Sequence, residues 1–320
     1  MTAQPNVGPM DDVGDSAEAA QFARHVMELH QKLTFTHLAT SLHSDPIHVR
    51  RRHSYTIVAC HHHHVPLRYQ IGIMGFRLAQ YLRLGWASPQ VVYNHRMFWE
   101  DLNHPNPNDF HIVALDNTTG SIVGYLGAEF ISDEDDTRSI YFPDRPLFPV
   151  EKAHHINIAD WLPSPNIRLG EIMEIKRFVR NPAIPESMRL LVPLELVLGL
   201  MALTTARKTH IPWAVGDLEM HVALRYLEVF GVETQVIKGT QPALPPDDPM
   251  WPMYLRRCEV LPFIGRVQPR PGIGHTFEGI DMALDTGNKK TILGKLASTR
   301  SEKVEHSAHW GNSDRSRKFF

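Results

Sequence analysis

Residues 171–181, EIMEIKRFVRN, have the apolar pattern of a buried strand but carry Glu174 and Arg177 at positions where a core should be apolar. A buried charge is costly unless it is paired or used, so this strand is the candidate functional element. An apolar run, LLVPLELVLGLMALTTA, follows at 190–206, and residues 213–239 then show the patterns of a strand, a helix ending near Gly231, and another strand. The predicted order is β-α-β-α-β with a charged central strand.

The apolar run at 190–206 is shorter than the roughly 20 apolar residues that a membrane span needs. It also contains Pro193 and Glu195 and is flanked by amphipathic segments. It therefore predicts a helix in the core of a globular protein, with no stable membrane insertion.

Composition excludes several classes. Of the 320 residues, 42% are hydrophobic and 21% charged, as in ordinary globular proteins. A net charge of −2 gives no reason to expect a nucleic-acid partner. Two distant cysteines, Cys60 and Cys258, cannot form a disulfide framework, and the first residues lack the pattern of a signal peptide. We expect a cytoplasmic protein.

The chain divides into three parts. Residues 1–45 form an N-terminal extension with a helix in AEAAQFARHVMELHQKL, and residues 46–265 form the working domain. In that domain, HIVALDNTTGSIVGYLGAEF at 111–130 reads as two antiparallel strands joined by a tight turn. Residues 266–320 are polar and predict a disordered tail.

Two patterns carry a resemblance to a known family. The strand reads Glu174-Ile175-Lys176-Arg177-Phe178, close to E-[ILVS]-S-R-F, and LEMHVALRYLEVFGVETQVIKG at 218–239 follows the spacing hxxxLxRxLxxxGhxhxxhG. Over about residues 55–265 the chain resembles the autoinducer-synthase branch of the GNAT fold. That branch includes the LuxI-type acyl-homoserine lactone synthases and the N-acyl amino acid synthases.

The resemblance implies an α/β (α+β), GNAT-like acyltransferase fold: a mixed central sheet with antiparallel N-terminal strands, a bulged and splayed fourth strand, and helices on both faces. It also implies site residues upstream, in an Arg-x-x-x-aromatic segment that ends in Gly-Trp and precedes an acidic motif. With Phe178, the substrate-binding candidates are Arg68, Arg77, Trp86 and Asp101. Asp109 competes with Asp101 for the acidic role.

Two departures bear on the product. LuxI-type enzymes carry an arginine on the second hairpin strand where this chain has Gly127, and Lys176 replaces the serine of the family motif. These differences weaken the lactone-synthase interpretation and leave acyl transfer to another amine in place.

The chemistry of Glu174 and Arg177 depends on a local irregularity. In a regular strand their side chains point to opposite faces, so a β-bulge must lie between them if they share a site. GNAT-type folds have such a bulge, whose freed N–H can polarise a thioester carbonyl. Glu174 is then the candidate base that takes a proton from the acceptor amine, and Arg177 holds the acceptor's carboxylate or orders Glu174. A structural ion pair within the sheet is the alternative.

The acyl donor is less defined. The segment RNPAIPESMR at 180–189 lacks the glycines with which acetyl-CoA enzymes bind pyrophosphate. This favours an acyl carrier protein over coenzyme A as the carrier, with Arg180, Arg189, Arg207 and Lys208 available to meet its acidic surface. No bound cofactor is expected. The run His61–His64 predicts a solvated turn after a strand and no metal site, because neighbouring side chains on a strand face opposite ways.

We therefore hypothesise an N-acyltransferase that moves a fatty acyl group from a carrier thioester to the amine of an amino acid or related small metabolite. Two alternatives stay open: an acyl-homoserine lactone synthase that uses S-adenosylmethionine, and a catalytically silent GNAT-fold binding or regulatory protein. The position of Glu174 relative to a cleft between splayed strands separates the enzymes from the silent protein.

Overall fold

The computed structural model describes residues 15–101, 109–133, 136–206, 211–219, 226–227, 232–240, 242, 244–245, 247–256, 260–267, 273–288 and 290–294. Within these ranges the strands form one sheet in the order β1-β2-β3-β4-β5-β6-β8-β7. Neighbouring strands are antiparallel except β5 and β6, which are parallel. The strands are β1 His48–Arg51, β2 Tyr55–His61, β3 Phe110–Asp116, β4 Ile122–Glu129, β5 Ile172–Arg180, β6 Trp213–Glu219, β7 Val232–Val236 and β8 Val260–Val267.

Helices cover both faces of the sheet. Helices α1 and α3 pack on one face, and α7 packs on the other against β2, β3 and β4. The helices are α1 Ala17–Gln31, α2 Leu38–Ser41, α3 Leu67–Leu84, α4 Pro89–Asn94, α5 Pro149–His154, α6 Glu186–Arg189, α7 Leu191–Ala206, α8 Trp251–Arg256 and α9 Ile273–Asp285. The predicted architecture, a mixed sheet with antiparallel first strands and helices on both faces, is confirmed.

Local sequence explains where several elements begin and end. Helix α1, predicted in the N-terminal extension, begins after Ser16, whose Oγ accepts from the Ala19 N–H at 3.1 Å. Helix α3 ends at Gly85, which has a φ of 69° that glycine adopts without strain. In the predicted hairpin of β3 and β4, Asp116 Oδ1 accepts from the N–H groups of Thr118 and Thr119, both at 2.8 Å.

Helix α7 is the predicted core helix. Its residues are apolar around almost the whole circumference, and most are buried, which is typical of a helix inside a domain. Glu195, the charge within it, is paired with Arg52 of the segment after β1 and accepts from the Tyr55 hydroxyl at 3.4 Å. Across the described ranges, no helix is both long and apolar enough to span a membrane.

The C-terminal region differs from the sequence prediction. Residues 273–285 of the expected disordered tail form helix α9, which buries Ile280, Ala283 and Leu284 in the core beside α7. Asp281 of α9 pairs with Arg50 and Arg52. The prediction of a disordered tail is therefore wrong for α9, because a few apolar residues at helical spacing are sufficient to dock a short helix onto an apolar surface. The proposed domain boundaries at 45 and 265 stay predictions.

Two strands were not predicted. The short β1, HVRR, has little apolar pattern, and β8 inserts between β6 and β7. The charged strand is consequently the fifth of the sheet and not the fourth. The helix predicted between β6 and β7 falls mostly outside the described residues.

Candidate active site

A β-bulge interrupts the pairing of β5 with β4. Tyr125 of β4 pairs with Val179, and Gly127 pairs with Lys176, so two residues of β5, Arg177 and Phe178, stand opposite one residue of β4. Arg177 has a φ of 59°, which is uncommon for a residue other than glycine. A bulge of this kind turns a side chain away from its regular face. Arg177 therefore joins Glu174 on the face covered by α3, as the sequence analysis required of a shared site.

Strands β5 and β6 separate just beyond Glu174. They pair at three positions, of which the last joins Glu174 to Val215. The next residue of β6 is Gly216, where an added Cβ would lie 2.3 Å from the carbonyl oxygen of Ile175, so no larger residue fits here. Beyond this point β6 continues against β8 and β5 continues against β4. The predicted splaying of the charged strand is thus present.

A cavity of about 990 Å³ opens at this separation. Its polar end includes Glu100, Glu129, Glu174, Lys176 and Arg177. Its apolar wall includes Leu78, Leu84, Met97, Phe178, Met250 and Met253. The cavity thus joins a charged floor to a hydrophobic surface, which is the arrangement expected for a ligand with a polar reacting group and an apolar chain.

Glu174 is the most buried carboxyl group of this floor. The residue is 1% exposed, and its Oε2 accepts from the Val150 N–H at 3.3 Å. Burial raises the pKa of Glu174 well above its ordinary value, the nearby carboxylates of Glu129 and Asp217 raise it further, and Lys176 opposes them. Glu174 is therefore a stronger base than a solvated carboxylate.

Lys176 lies beside Glu174 between two further carboxylates. Its Nζ is 3.2 Å from Asp109 Oδ2 and also pairs with Glu129. Burial raises the pKa of Asp109 to about 6, with Glu129 adding to the rise and Lys176 opposing it. The lysine that replaces the motif serine therefore balances part of the negative charge on the floor.

Arg77 and Arg177 share the carboxylate of Glu100. Arg77 Nε donates to Glu100 Oε1 at 3.0 Å, and Arg177 Nη1 is 3.3 Å from Glu100 Oε2. Nε of Arg177 is buried and, within the described ranges, has no hydrogen-bond partner. Two guanidinium groups on one carboxylate leave a net positive charge, which suits an anionic group of a ligand.

The structure brings most of the predicted site residues together. Trp86, Asp101 and Phe178 line the cavity with Glu174 and Arg177. Trp86 stacks on Tyr81, with ring centroids 6.1 Å apart. Arg77 lies behind the cavity wall and holds Glu100 in place.

Arg68 is placed elsewhere. Its guanidinium is exposed, contacts Ser41 Oγ at 3.2 Å and lies over the Tyr69 ring. Of the two arginines that fitted the upstream motif, Arg77 is therefore the one beside the candidate site.

Sequence reasoning missed a second polar group on the opposite wall of the cavity. Asp217 of β6 accepts from the Tyr254 hydroxyl and contacts His154 Nε2 at 3.3 Å. Both Asp217 and Tyr254 line the cavity. The available signal was the acidic residue directly after Gly216 in the apolar strand WAVGDLE.

The histidine run forms the end of β2 and a short 3₁₀ helix, His62–His64. His62 Nδ1 lies 2.9 Å from His111 Nε2, and His111 Nδ1 lies 2.8 Å from the Tyr125 hydroxyl. Burial lowers the pKa of His111 well below its ordinary value, so this ring stays neutral. Within the part of the chain that the structure describes, no group of three or more histidine, cysteine or acidic side chains could hold a metal ion.

Comparisons with known proteins place the chain near one group of structures at low similarity. No protein-family model and no curated protein matches the sequence. A CoA-dependent acyl-homoserine lactone synthase, MesI, is 20% identical over 57% of this chain and 73% of its own, with a TM-score of 0.35. TofI, in a ternary complex with an inhibitor and MTA, is 14% identical over 66% and 91% of the two chains, with a TM-score of 0.39.

An uncharacterized protein from Bacillus halodurans is also similar, at 11% identity over 75% of this chain and 96% of its own, with a TM-score of 0.34. At these identities and TM-scores the likeness identifies neither the activity nor the substrates of this chain.

Proposed function

We propose that this chain is an N-acyltransferase that moves a fatty acyl group from a carrier thioester to the amine of an amino acid or related small metabolite. One observation carries the proposal: the bulge at Arg177 and the separation of β5 from β6 place Glu174 and Arg177 on the floor of one cavity. A structural ion pair within a sheet would not require a cavity there.

Glu174 acts as the base. An amine must lose a proton before it attacks a thioester, and a buried carboxylate with a raised pKa is suited to take that proton. The neutral amine then attacks the carbonyl carbon and forms the C–N bond. Collapse of the tetrahedral intermediate breaks the C–S bond, and a second proton from the amine nitrogen leaves with the thiolate as the thiol.

Arg177 and the backbone of the bulge bind the other polar groups of the two substrates. A bulge leaves backbone groups outside the ladder, and such an N–H can stabilise the oxyanion that forms on the thioester carbonyl. The Arg177 guanidinium, whose Nε has no hydrogen-bond partner among the described residues, binds a carboxylate of the acceptor. The apolar wall that includes Trp86 and Phe178 accommodates the acyl chain.

The donor is presented by an acyl carrier protein, in keeping with the absence of a glycine-rich phosphate loop at 180–189. Acyl-CoA is the alternative donor, and no tightly bound cofactor takes part. A cytoplasmic location remains a prediction.

A lactone-forming synthase that uses S-adenosylmethionine is the second candidate. The argument against it was the missing arginine at Gly127. Lys176 is the register partner of Gly127 and brings a cation to Asp109 and Glu129 from the neighbouring strand. A positive charge is thus present on this part of the floor without the arginine.

The purified full chain, incubated with acyl carrier protein or CoA thioesters of several chain lengths and a panel of amines, tests the proposal by mass spectrometry. N-acyl amino acids are the expected product, and acyl-homoserine lactones from S-adenosylmethionine would support the second candidate. No product from either donor would indicate a catalytically silent protein.

A matched pair of variants tests the role of Glu174. We expect Glu174→Gln to lower the rate by about 10²- to 10⁴-fold, the usual contribution of a general base. Glu186→Gln makes the same change at an exposed glutamate of α6 and should leave the rate unchanged. Full activity in Glu174→Gln would remove this residue from the base role.

A further inference from the structure

Asp217 stands on the wall of the cavity opposite β5 and has no role in the reaction described so far. It follows Val215, the last residue of β6 that pairs with β5, by two positions, so it lies on the same face of the sheet as Glu174 but beyond the point where β5 and β6 separate. The negative charge of Asp217 contributes to the raised pKa of Glu174. The two carboxyl groups therefore face the same space from opposite walls.

Two side chains hold Asp217 in one orientation. Oδ2 accepts from the Tyr254 hydroxyl and lies 3.3 Å from His154 Nε2, while His154 Nδ1 lies 3.3 Å from the Thr240 hydroxyl. The Nε2–H group of His154 can donate to Asp217 while Thr240 fixes the ring through Nδ1. His154 is 3% exposed, so this support is buried.

The same contacts leave one oxygen of Asp217 free. Both donors meet Oδ2, and within the described ranges Oδ1 has no hydrogen-bond partner. Oε1 of Glu174 likewise has none there, although the residue is 1% exposed and lines the cavity. Glu129 differs, because its carboxylate is paired with Lys176. Two carboxyl groups that line one cavity, each with an oxygen that lacks a partner among the described residues, suit a ligand with a cationic group.

We propose that Asp217, held by Tyr254 and His154, binds the ammonium group of the acceptor before Glu174 removes its proton. This inference rests on the proposed acyl transfer and identifies how the amine enters. Most primary amines are protonated at neutral pH, so the acceptor arrives as a cation. Asp217 is an acceptor-binding residue, and Tyr254 and His154 are positioning residues that act through it.

The two carboxyl groups can have different roles because their surroundings differ. Asp217 accepts hydrogen bonds from two side chains, whereas Glu174 accepts one hydrogen bond from the described residues, donated by a backbone N–H. The fixed carboxylate of Asp217 can bind the ammonium group, and Glu174, whose pKa is raised by burial, can take its proton, because different environments give two carboxyl groups different roles.

Asp217→Asn, which keeps the shape of the side chain and removes its charge, tests the inference. With the best amine acceptor of the panel, we expect the KM for the amine to rise about tenfold or more, the usual value of one charge-assisted hydrogen bond. The KM for the acyl thioester should stay unchanged. Asp217→Glu, which restores the charge, should recover most of the loss, and Tyr254→Phe should give a smaller rise in the same KM.

Asp144→Asn is the matched control, because it removes the same charge from an exposed aspartate that is not among the residues that line the cavity. An unchanged amine KM in Asp217→Asn would overturn the inference. So would a joint rise of both KM values, or an Asp217→Glu variant as impaired as Asp217→Asn, since either result indicates a structural role. A wild-type chain that forms no product with any amine would instead overturn the acyltransferase proposal itself.

Discussion

Lys176 lies directly opposite Gly127 across the β4–β5 ladder, and its side chain lies within van der Waals contact of the position of a Cβ at Gly127. A Cβ at Gly127 would meet the Tyr125 hydroxyl at 3.1 Å, the Lys176 carbonyl oxygen at 3.3 Å and Lys176 Cγ at 3.4 Å. Lys176 and Gly127 are therefore direct neighbours, and an arginine at position 127 would bring a second cation beside Lys176.

Because the two residues are neighbours, the effects of substitutions at positions 127 and 176 on the free energy of unfolding should be coupled. Gly127→Arg should lower the free energy of unfolding by about 1–3 kcal/mol, because it overpacks the site and adds a cation beside Lys176. Adding Lys176→Ser should recover part of that loss, with a coupling free energy of about 1 kcal/mol or more. Urea unfolding of the wild type, both single variants and the double variant measures the coupling.

Gly127→Leu provides the control for this cycle, since it crowds the same space without a charge. Combined with Gly127→Leu, Lys176→Ser should relieve the crowding, but it separates no pair of cations. The coupling free energy should therefore be smaller than in the cycle with Gly127→Arg. Additive changes in the free energy of unfolding in the cycle with Gly127→Arg would contradict the predicted coupling.

The bulge at Arg177 makes a second prediction. Its φ of 59° is costly for any residue except glycine. Arg177→Gly and Arg177→Ala both remove the guanidinium, yet the glycine variant should be more stable by about 1 kcal/mol in urea unfolding.

Arg180 of the same strand supplies the comparison, because it pairs in register with Gly124 beyond the bulge. There the order should reverse, with Arg180→Ala more stable than Arg180→Gly by about 0.5–1 kcal/mol. Equal stabilities of the two Arg177 variants would show that this residue is not held in the left-handed region.

Glu174 makes a prediction about stability and pH. Its pKa is raised in the folded protein, so its protonated form is favoured there, and its contribution to stability is present below the unfolded pKa. That contribution is lost as pH rises from the unfolded pKa through the folded one. Above this window the wild type carries a buried charge that Glu174→Gln lacks.

We therefore expect the Tm of Glu174→Gln to fall less than that of the wild type as pH rises from about 4.5, the ordinary glutamate range. Thermal unfolding of both proteins between acidic and mildly alkaline pH measures the difference, with Glu186→Gln as the control that should follow the wild type. A variant whose Tm falls as steeply as that of the wild type would argue that Glu174 has no raised pKa.

The docking of α9 makes a fourth prediction. The Arg52 side chain is 4% exposed and pairs with Glu195 of α7 and Asp281 of α9. Arg52→Met should cost about 3–5 kcal/mol in the free energy of unfolding, because it leaves Glu195 buried without its partner.

Arg51→Met removes the neighbouring, exposed arginine and should change stability by less than about 0.5 kcal/mol. The double variant Arg52→Met, Glu195→Met should recover much of the loss, since neither charge then remains buried. Equal losses in Arg51→Met and Arg52→Met would show that α9 and α7 do not depend on this network.

Patterns along the chain were enough to predict the elements with strong periodicity. The hairpin of β3 and β4, the helix α1 and the apolar helix α7 all follow from local residue order. Strand β1 and helix α9 were not found, because short segments with few apolar residues acquire their structure from the surface they pack on. The role of Asp217 was not predicted either, because its partners Tyr254 and His154 are distant in sequence.

Residue order was sufficient to predict a charged strand in the core, in which Glu174 and Arg177 could act together only across a bulge. Alternation along a strand is a local property, so that condition could be stated without a structure. The position of the bulge at Arg177, the separation of β6 from β5 after Glu174 and the placement of Asp217 on the same cavity became visible in the folded chain. Register and strand separation depend on contacts between residues far apart in sequence, and residue order alone does not specify those contacts.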